Sequence, residues 1–250
     1  MGVNNGNSIY KSTDCPNDFS GMIGAVEIPL TVSAGGKLTN GGVNLNVSGQ
    51  NAWAEGVFTE SSGYAAHGEG DSTKSTSHAS HAEGRSTESS GYAAHAEGFL
   101  SKASEMGAHA EGGSTESSGQ NAHAEGNNTK ATGQNAHAEG NYTKATGAHS
   151  HAEGSASEAN GDRSHAGGNH CLANGADSFA HGNELKTSSD RCAVFGSFNA
   201  DEAAYLIIGN GTADDDRKNI FKVDKSGNLW IMHNGVLTNL STLLNSHNIT

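Results

Sequence analysis

The chain has 250 residues, of which only 33% are hydrophobic and 6% aromatic, and its formal net charge is −13. So few large apolar side chains argue against one wide globular core, and the scarcity of Lys and Arg argues against nucleic-acid binding. No run of 18 apolar residues occurs, so we expect no membrane insertion. Cys15, Cys171 and Cys192 lack the spacing of a disulfide framework or a metal site, and we expect them to fill small apolar spaces.

Residues 1–48 come first and are rich in glycine and asparagine, with one apolar run from Met22 to Val32. The N-terminal stretch MGVNNGNSIYKSTD has no basic segment followed by an apolar one, so we expect no signal peptide. This region is interpreted as an irregular cap or as an attachment segment, and its composition fits both.

Residues 49–198 contain an array with a strict period of 14 residues. One glycine recurs at this spacing from Gly56 to Gly196, and a threonine or serine follows it by three residues, from Thr59 to Ser157. A histidine precedes the glycine by three residues in eight copies: His67, His81, His95, His109, His123, His137, His151 and His165. A glutamate directly precedes it in eight copies: Glu55, Glu69, Glu83, Glu97, Glu111, Glu125, Glu139 and Glu153. Such an array indicates a repeat architecture.

The period does not fit a coiled coil or collagen. Most repeats carry two glycines, each costing roughly 1 kcal/mol inside a helix, and no leucine seam is present. Glycine is not at every third position, and the aspartates of calcium-binding β-rolls are nearly absent. Two short strands and two glycine turns per 14 residues fit best, which is one coil of a parallel β-solenoid with coils about 4.8 Å apart.

Strand alternation assigns the side chains of each coil to two faces. In NAHAEG, Ala122 and Ala124 share one face, and His123 and Glu125 share the other. A narrow roll holds only small groups, so we expect the alanines inside and the His/Glu ladder outside. The outward face is either solvated or in contact with a partner of the same period, of which another copy of the chain is the natural choice.

The repeat resembles a known family at this point. SHAEG, at 80–84 and 150–154, is similar to the Ser-Val-Ala-Ile-Gly strand in the heads of trimeric autotransporter adhesins, and CAVFG at 192–196 keeps the apolar form. The resemblance implies an all-β fold, a left-handed parallel β-roll, that forms a homotrimer about a threefold axis. The sixteen ladder residues would then lie at the trimer interface. We expect the carboxylates to raise the histidine pKa values, so that stability peaks in mildly acidic solution, with metal bridging of the histidines as the rival account.

Residues 199–235 are predicted to form a C-terminal β-hairpin region. Strands at 220–223 and 229–232 flank a turn at 224–228. Residues 205–232 resemble a segment common in tail-fibre and host-attachment proteins of phages and prophages. We expect Phe221, Leu229 and Trp230 to pack against symmetry mates.

Residues 236–250 form a C-terminal tail. Leu237, Leu240, Leu243 and Leu244 lie at helical spacing, which predicts a short helix that closes the trimer or a frayed end.

These patterns predict a structural protein and not an enzyme. Active sites are single and asymmetric, whereas the His/Glu pair recurs eight times, and no nucleophile elbow, P-loop or HExxH motif is present. We expect no cofactor and no metal.

The predicted function is that of a trimeric tail fibre or receptor-binding protein of a phage or prophage. The protein would lie in the virion tail. Its partners would be a glycan or protein receptor on the host surface and other tail or baseplate proteins. The alternative is an adhesin on the extracellular bacterial surface. A remote alternative is an ice- or surface-binding solenoid that uses the threonines from Thr59 to Thr143.

Overall fold

The computed structural model describes residues 30–33, 37–43 and 45–246. They belong to two compact units, which divide between Gly107 and Ala108. Parallel coils of 14 residues stack in each unit, and the described part contains a single seven-residue α-helix. The expected all-β solenoid is therefore confirmed.

The first unit consists of stacked strands with a hairpin at its N-terminal side. Its strands are β1 (Leu30–Ser33), β2 (Lys37–Val43), β3 (Asn46–Val47), β4 (Trp53–Val57), β5 (Glu60–Ser61), β6 (His67–Asp71), β7 (Lys74–Ser75), β8 (His81–Arg85), β9 (Glu88–Ser89), β10 (His95–Phe99) and β11 (Lys102–Ala103). The long strands β4, β6, β8 and β10 pair in parallel, and so do the short strands β3, β5, β7, β9 and β11. β1 and β2 form an antiparallel hairpin, and β2 pairs in parallel with β4. The segment expected to be irregular therefore has regular structure over its described residues, while Met22 and most of the apolar run lie outside them.

The second unit continues the same alternation of long and short strands. Its strands are β12 (His109–Gly113), β13 (Glu116–Ser117), β14 (His123–Asn127), β15 (Lys130–Ala131), β16 (His137–Asn141), β17 (Lys144–Ala145), β18 (His151–Ala152), β19 (Glu158–Ala159), β20 (His165–Asn169), β21 (Leu172–Ala173), β22 (Phe179–Asn183), β23 (Lys186–Thr187), β24 (Ala193–Ser197), β25 (Ala204–Asn210), β26 (Asn219–Asp224), β27 (Leu229–His233) and β28 (Val236–Asn239). A 3-10 turn (Asp214–Asp216) precedes β26, and helix α1 (Leu240–Ser246) follows β28.

The register places identical residues on top of one another, and small residues fill the interior. His123 pairs with His137, and the next residues follow in step: alanine on alanine, then glutamate on glutamate. Ala122 and Ala124 are buried, with 1% and 0% of their surface exposed. The predicted inward alanines are therefore confirmed. Burying one methyl contributes only roughly 0.8 kcal/mol, so the backbone hydrogen bonds between coils must carry much of the stability.

The threonine row also lies inside the roll. Thr59 and Thr143 are buried, and their hydroxyls donate to the backbone oxygens of Glu55 (3.0 Å) and Glu139 (3.1 Å). Cys171 occupies the same row two coils after Thr143 and is fully buried. The threonines therefore present no hydroxyl surface to an ice lattice, because their oxygens face the interior.

The two glycines of each coil have different roles. Gly126 has a φ of +104°, and a Cβ there would lie 2.2 Å from the carbonyl oxygen of Gly140. The second glycine, such as Gly133, is required only because the next coil lies so close. A Cβ at Gly133 would lie 2.0 Å from the carbonyl oxygen of Gly147. The left-handed turn positions are filled mostly by other residues, for example Asn128 (φ 54°) and Asn135 (φ 53°), although Gly107 (φ 65°) takes one of them. Gly133 begins the turn that Ala136 closes by donating its backbone N–H to the oxygen of Gly133 at 3.1 Å, so this glycine belongs to a turn without occupying its left-handed position.

A small antiparallel sheet ends the second unit. β25 pairs in parallel with β24, and β25 to β28 then pair as an antiparallel meander. The predicted hairpin is confirmed, with Phe221 opposite Ile231. The predicted helix is correct only from Leu240 onward, because residues 236–239 pair with β27 as a strand. Within the described residues, no helix is long and apolar enough to cross a membrane.

Candidate functional site

The ladder is a face of stacked imidazoles and carboxylates on the long strands of each unit. In the first unit the rings of His67 and His81 are 4.6 Å apart with an interplanar angle of 6°, and in the second those of His123 and His137 are 4.9 Å apart at 2°. The parallel register produces this stack, because strand spacing and ring stacking distance are similar. About a third of the side chain is exposed in each of His67, His81 and His123. The predicted outward direction of His and Glu is therefore confirmed.

At the coils of His67 and His123 the imidazoles approach the carboxylates of their own strand without hydrogen bonding to them. Nε2 of His67 lies 3.7 Å from Oε2 of Glu69, and Nε2 of His123 lies 3.9 Å from Oε2 of Glu125. These distances exceed those of a hydrogen bond. Both nitrogens, together with Nε2 of His81, are out of contact with water and make no hydrogen bond within the described chain. The hydrogen-bonded ladder that we expected is therefore not complete at these coils of a single chain.

Burial dominates the ionisation of the histidines. Loss of solvent, followed by the neighbouring imidazoles of His67 and His95, lowers the pKa of His81 to about 4, although the carboxylate of Glu97 opposes the change. Burial also lowers the pKa values of His123 and His137, again with neighbouring imidazoles contributing. Within a single chain the direction is thus opposite to the rise expected for the paired ladder, because burial and stacked like groups disfavour the charged imidazole.

The stacked carboxylates shift in opposite directions at equivalent positions. Hydrogen bonding with the carboxyl groups of Glu55 and Glu83 raises the pKa of Glu69. Hydrogen bonding with the carboxyl groups of Glu111 and Glu139 lowers the pKa of Glu125. Opposite shifts are expected when neighbouring carboxylates share protons along a row. The carboxyl groups of the row therefore do not ionise independently of one another.

The short strands carry a second ladder, which sequence analysis missed. In the first unit Glu60, Lys74, Glu88 and Lys102 stand on one another in register, so charges of opposite sign alternate. Nζ of Lys102 lies 3.4 Å from Oε2 of Glu88. The second unit has two such ion pairs, Lys130 with Glu116 at 2.9 Å and Lys144 with Glu158 at 2.6 Å. The alternation is broken between them, where Lys130 and Lys144 stand in register. The signal was present in the sequence, because a Glu or Lys directly follows each threonine or serine of the row from Thr59 to Ser157.

The His/Glu ladder breaks at one place in the second unit, which we call the Gly167 notch (Glu153, His165, Gly167 and His181). Gly167 replaces the glutamate of its repeat, and in the next coil Phe179 and His181 replace the histidine and glutamate. Oε1 of Glu153 lies 3.3 Å from Nε2 of His165 and 3.6 Å from Nδ1 of His181. A Cβ on Gly167 would fall 2.5 Å from that Nδ1 and 2.8 Å from that Oε1.

His165 also leaves the parallel ring stack at the notch. Its ring stands at 81° to that of His151, whereas His137 and His151 differ by only 1°. On its other side it stacks on Phe179 at 4.7 Å and 20°. The regular ladder therefore ends at His165, and the side chains beyond it follow a different arrangement.

The C-terminal residues expected to pack against symmetry mates are incompletely covered in one chain. Leu229 is 41% exposed, and Phe221 and Trp230 are half-buried. Trp230 donates from Nε1 to the carboxylate of Asp224 at 2.9 Å, and the ammonium of Lys222 lies 4.9 Å from its ring centre. The sheet thus retains apolar surface that another surface can cover.

No protein-family model and no curated protein matches this chain. The coils establish the β-solenoid, whereas the link to adhesin heads and tail fibres depends on the SHAEG repeat and the C-terminal segment.

Proposed function

We propose that the chain is a trimeric structural and attachment protein, a tail fibre or receptor-binding protein of a phage or prophage that contacts the host surface. The observation that carries the proposal is the contrast between the two ladders. Lys and Glu on the short strands form ion pairs with one another within the chain, so that face is suited to water. The long strands instead stack carboxylate on carboxylate without Lys or Arg in the ladder positions.

The partner of such a face must repeat at the spacing of the coils. Stacked carboxylates about 4.8 Å apart repel one another unless a partner supplies donors at the same interval. A second copy of the chain offers imidazoles with this period. The resemblance to trimeric adhesin heads favours three copies about one axis.

Host attachment is the proposed role of the assembled trimer, with a surface glycan or protein as receptor and tail or baseplate proteins as further partners. The repeated ladder is an architectural device, so we propose no catalytic activity. The alternative is a trimeric adhesin of the bacterial surface. Immunogold electron microscopy separates the two: label on particle tails supports the fibre, and label on the envelope of intact cells supports the adhesin.

The trimer is tested by sedimentation equilibrium of the untagged chain at micromolar concentration. We expect three times the chain mass of 25.5 kDa. His123→Glu adds a negative charge to the ladder and should shift the protein toward monomer. Lys130→Glu makes a larger charge change of the same sign on the short-strand face, where it also removes the ion pair with Glu116. It is the control and should remain trimeric. A wild-type monomer, or equal dissociation of both variants, would refute the interface.

A further inference from the structure

We propose that Glu153, His165 and His181 form a binding site for one divalent transition-metal ion, such as Zn²⁺, at the Gly167 notch. The site uses three side chains of a single chain, so it does not depend on the proposed function. It is also distinct from the bridging of the regular ladder, which repeats along the stack.

The distances at the notch suit a metal ion. Ligands about 2.0–2.1 Å from a tetrahedral ion lie roughly 3.4 Å from each other. Oε1 of Glu153 is 3.3 Å from the nitrogen of His165 and 3.6 Å from that of His181. All three ligand atoms lie within 4.8 Å of one another, so a small rotation of the imidazoles completes the triangle.

The regular coils hold their imidazoles in a different arrangement. The group His123, Glu125 and His137 also gathers two imidazoles and one carboxylate, but its nitrogen–oxygen distance is 3.9 Å. Nε2 of His151 comes as close as 3.4 Å to Oε1 of Glu139, so the orientation of the rings, more than this distance, separates the notch from the regular ladder. The rings of His123 and His137 are held parallel at 4.9 Å. In contrast, the ring of His165 has turned by 81° relative to its neighbour, and His181 approaches from the following coil.

Gly167 makes the convergence possible. A side chain here would occupy the space into which Glu153 and His181 point, as the contacts of 2.5 and 2.8 Å at its Cβ show. The φ of Gly167 is outside the left-handed range, so its backbone does not require glycine. Its lack of a side chain instead opens the room that the three ligands share.

The ligand set indicates the class of ion. Two imidazoles and one carboxylate hold zinc in sites that leave a fourth position for water, and the same set suits other first-row divalent ions. Calcium and magnesium prefer oxygen ligands only. We therefore expect Zn²⁺ and Co²⁺ to bind and Mg²⁺ not to compete.

The test is titration of the full, untagged chain with Co²⁺, followed by visible absorption, and competition with Zn²⁺. We expect saturation at one ion per chain and displacement by one equivalent of Zn²⁺. His181→Gln should weaken binding by more than about 100-fold, the upper end of what loss of an outer-shell partner costs. His137→Gln changes the regular ladder and is the matched control, which should leave the affinity unchanged.

Gly167→Ala provides a second test, because it keeps all three ligands and fills only the notch. We expect it to weaken Co²⁺ binding while the circular dichroism spectrum stays that of the wild type. This variant decides the question if His181→Gln fails to fold. Absence of Co²⁺ binding at millimolar concentration would overturn the proposal. So would several ions per chain whose binding falls with His137→Gln and not with His181→Gln.

Discussion

At the scale of single residues, His81 shows the effect of stacking one imidazole between two others. Its pKa is lowered from 6.5 to about 4, first by burial and then by His67 and His95. The folded chain therefore resists protonation that the unfolded chain accepts between these two pH values. The stability that neutral His81 contributes to the folded chain is fully present above pH 6.5 and is lost as the pH falls toward 4.

We predict that the ring protons of His81 titrate in NMR spectra with a midpoint near 4, and that the protein denatured in urea shows the ordinary value. His81→Gln should reduce the loss of thermal stability between pH 6.5 and 4. A midpoint above 6.5 would contradict burial as the dominant cause and would restore the paired-ladder account.

Asp224 stabilises the turn between β26 and β27. Its carboxylate accepts hydrogen bonds from Nε1 of Trp230 (2.9 Å) and from the backbone nitrogens of Ser226 and Asn228 (2.9 Å each). These donors lower its pKa from 3.8 to about 2, with Trp230 the largest cause. The contribution is therefore present above pH 3.8 and is lost as the pH falls through 2.

Asp224→Asn should lower the melting temperature at pH 5, and its deficit relative to the wild type should shrink as the pH falls from 4 to 2. Differential scanning calorimetry across this range measures the effect. Asp215→Asn, at an exposed aspartate of the preceding 3-10 turn, is the control and should match the wild type at pH 5. A deficit of the same size at pH 2 and pH 5 would mean that the charge of Asp224 is not the cause.

At the scale of one coil, the sequence was sufficient to predict most of the structure. The 14-residue period and strand alternation correctly placed Ala122 and Ala124 inside and His123 and Glu125 outside. A period of two fixes the face of each residue once the interior is known to be narrow. Glycine, however, enters the pattern for two reasons that look alike in a sequence, a positive φ and a close approach of two coils.

The remaining features depend on the three-dimensional arrangement of side chains, which the repeat pattern does not specify. The direction of the His81 pKa shift depends on how far its imidazole is buried from solvent. The identity of the residue does not specify this burial. The Gly167 notch depends on His181 and Glu153 reaching toward each other across a missing side chain. The opposite charges of the short strands were visible at a spacing of 14, and a search for ion pairs in register would have found them.

Two glycines of the second unit test the packing of one coil on the next. Gly126→Ala places a methyl 2.2 Å from the oxygen of Gly140 at a φ of +104°. We expect it to lower the free energy of unfolding by at least about 2 kcal/mol, since strained backbone conformations cost roughly 1–3 kcal/mol each. Gly113→Ala is the control, because its Cβ would meet no atom closer than 3.8 Å.

Urea denaturation of both variants measures the difference, and Gly113→Ala should stay within about 0.5 kcal/mol of the wild type. Equal losses in the two variants would show that close contact between coils does not limit the side chain at position 126.

At the scale of the whole molecule, the C-terminal sheet should be stabilised by other copies of the chain. Leu229 is 41% exposed and Val236 is 64% exposed in one chain, so their replacement by serine should barely affect an isolated chain. In a trimer that buries them, each loses apolar burial worth roughly 1–2 kcal/mol. We therefore predict that Leu229→Ser with Val236→Ser lowers the melting temperature of the trimer and promotes its dissociation on dilution.

Tyr142→Ser, at a side chain that is 59% exposed in a coil of the same unit, is the control and should change neither property. Melting followed over a range of protein concentrations gives both readouts, because only an assembled species has a melting temperature that depends on concentration. If the double variant matched the wild type at every concentration, the apolar side chains of β27 and β28 would face water in the assembled protein.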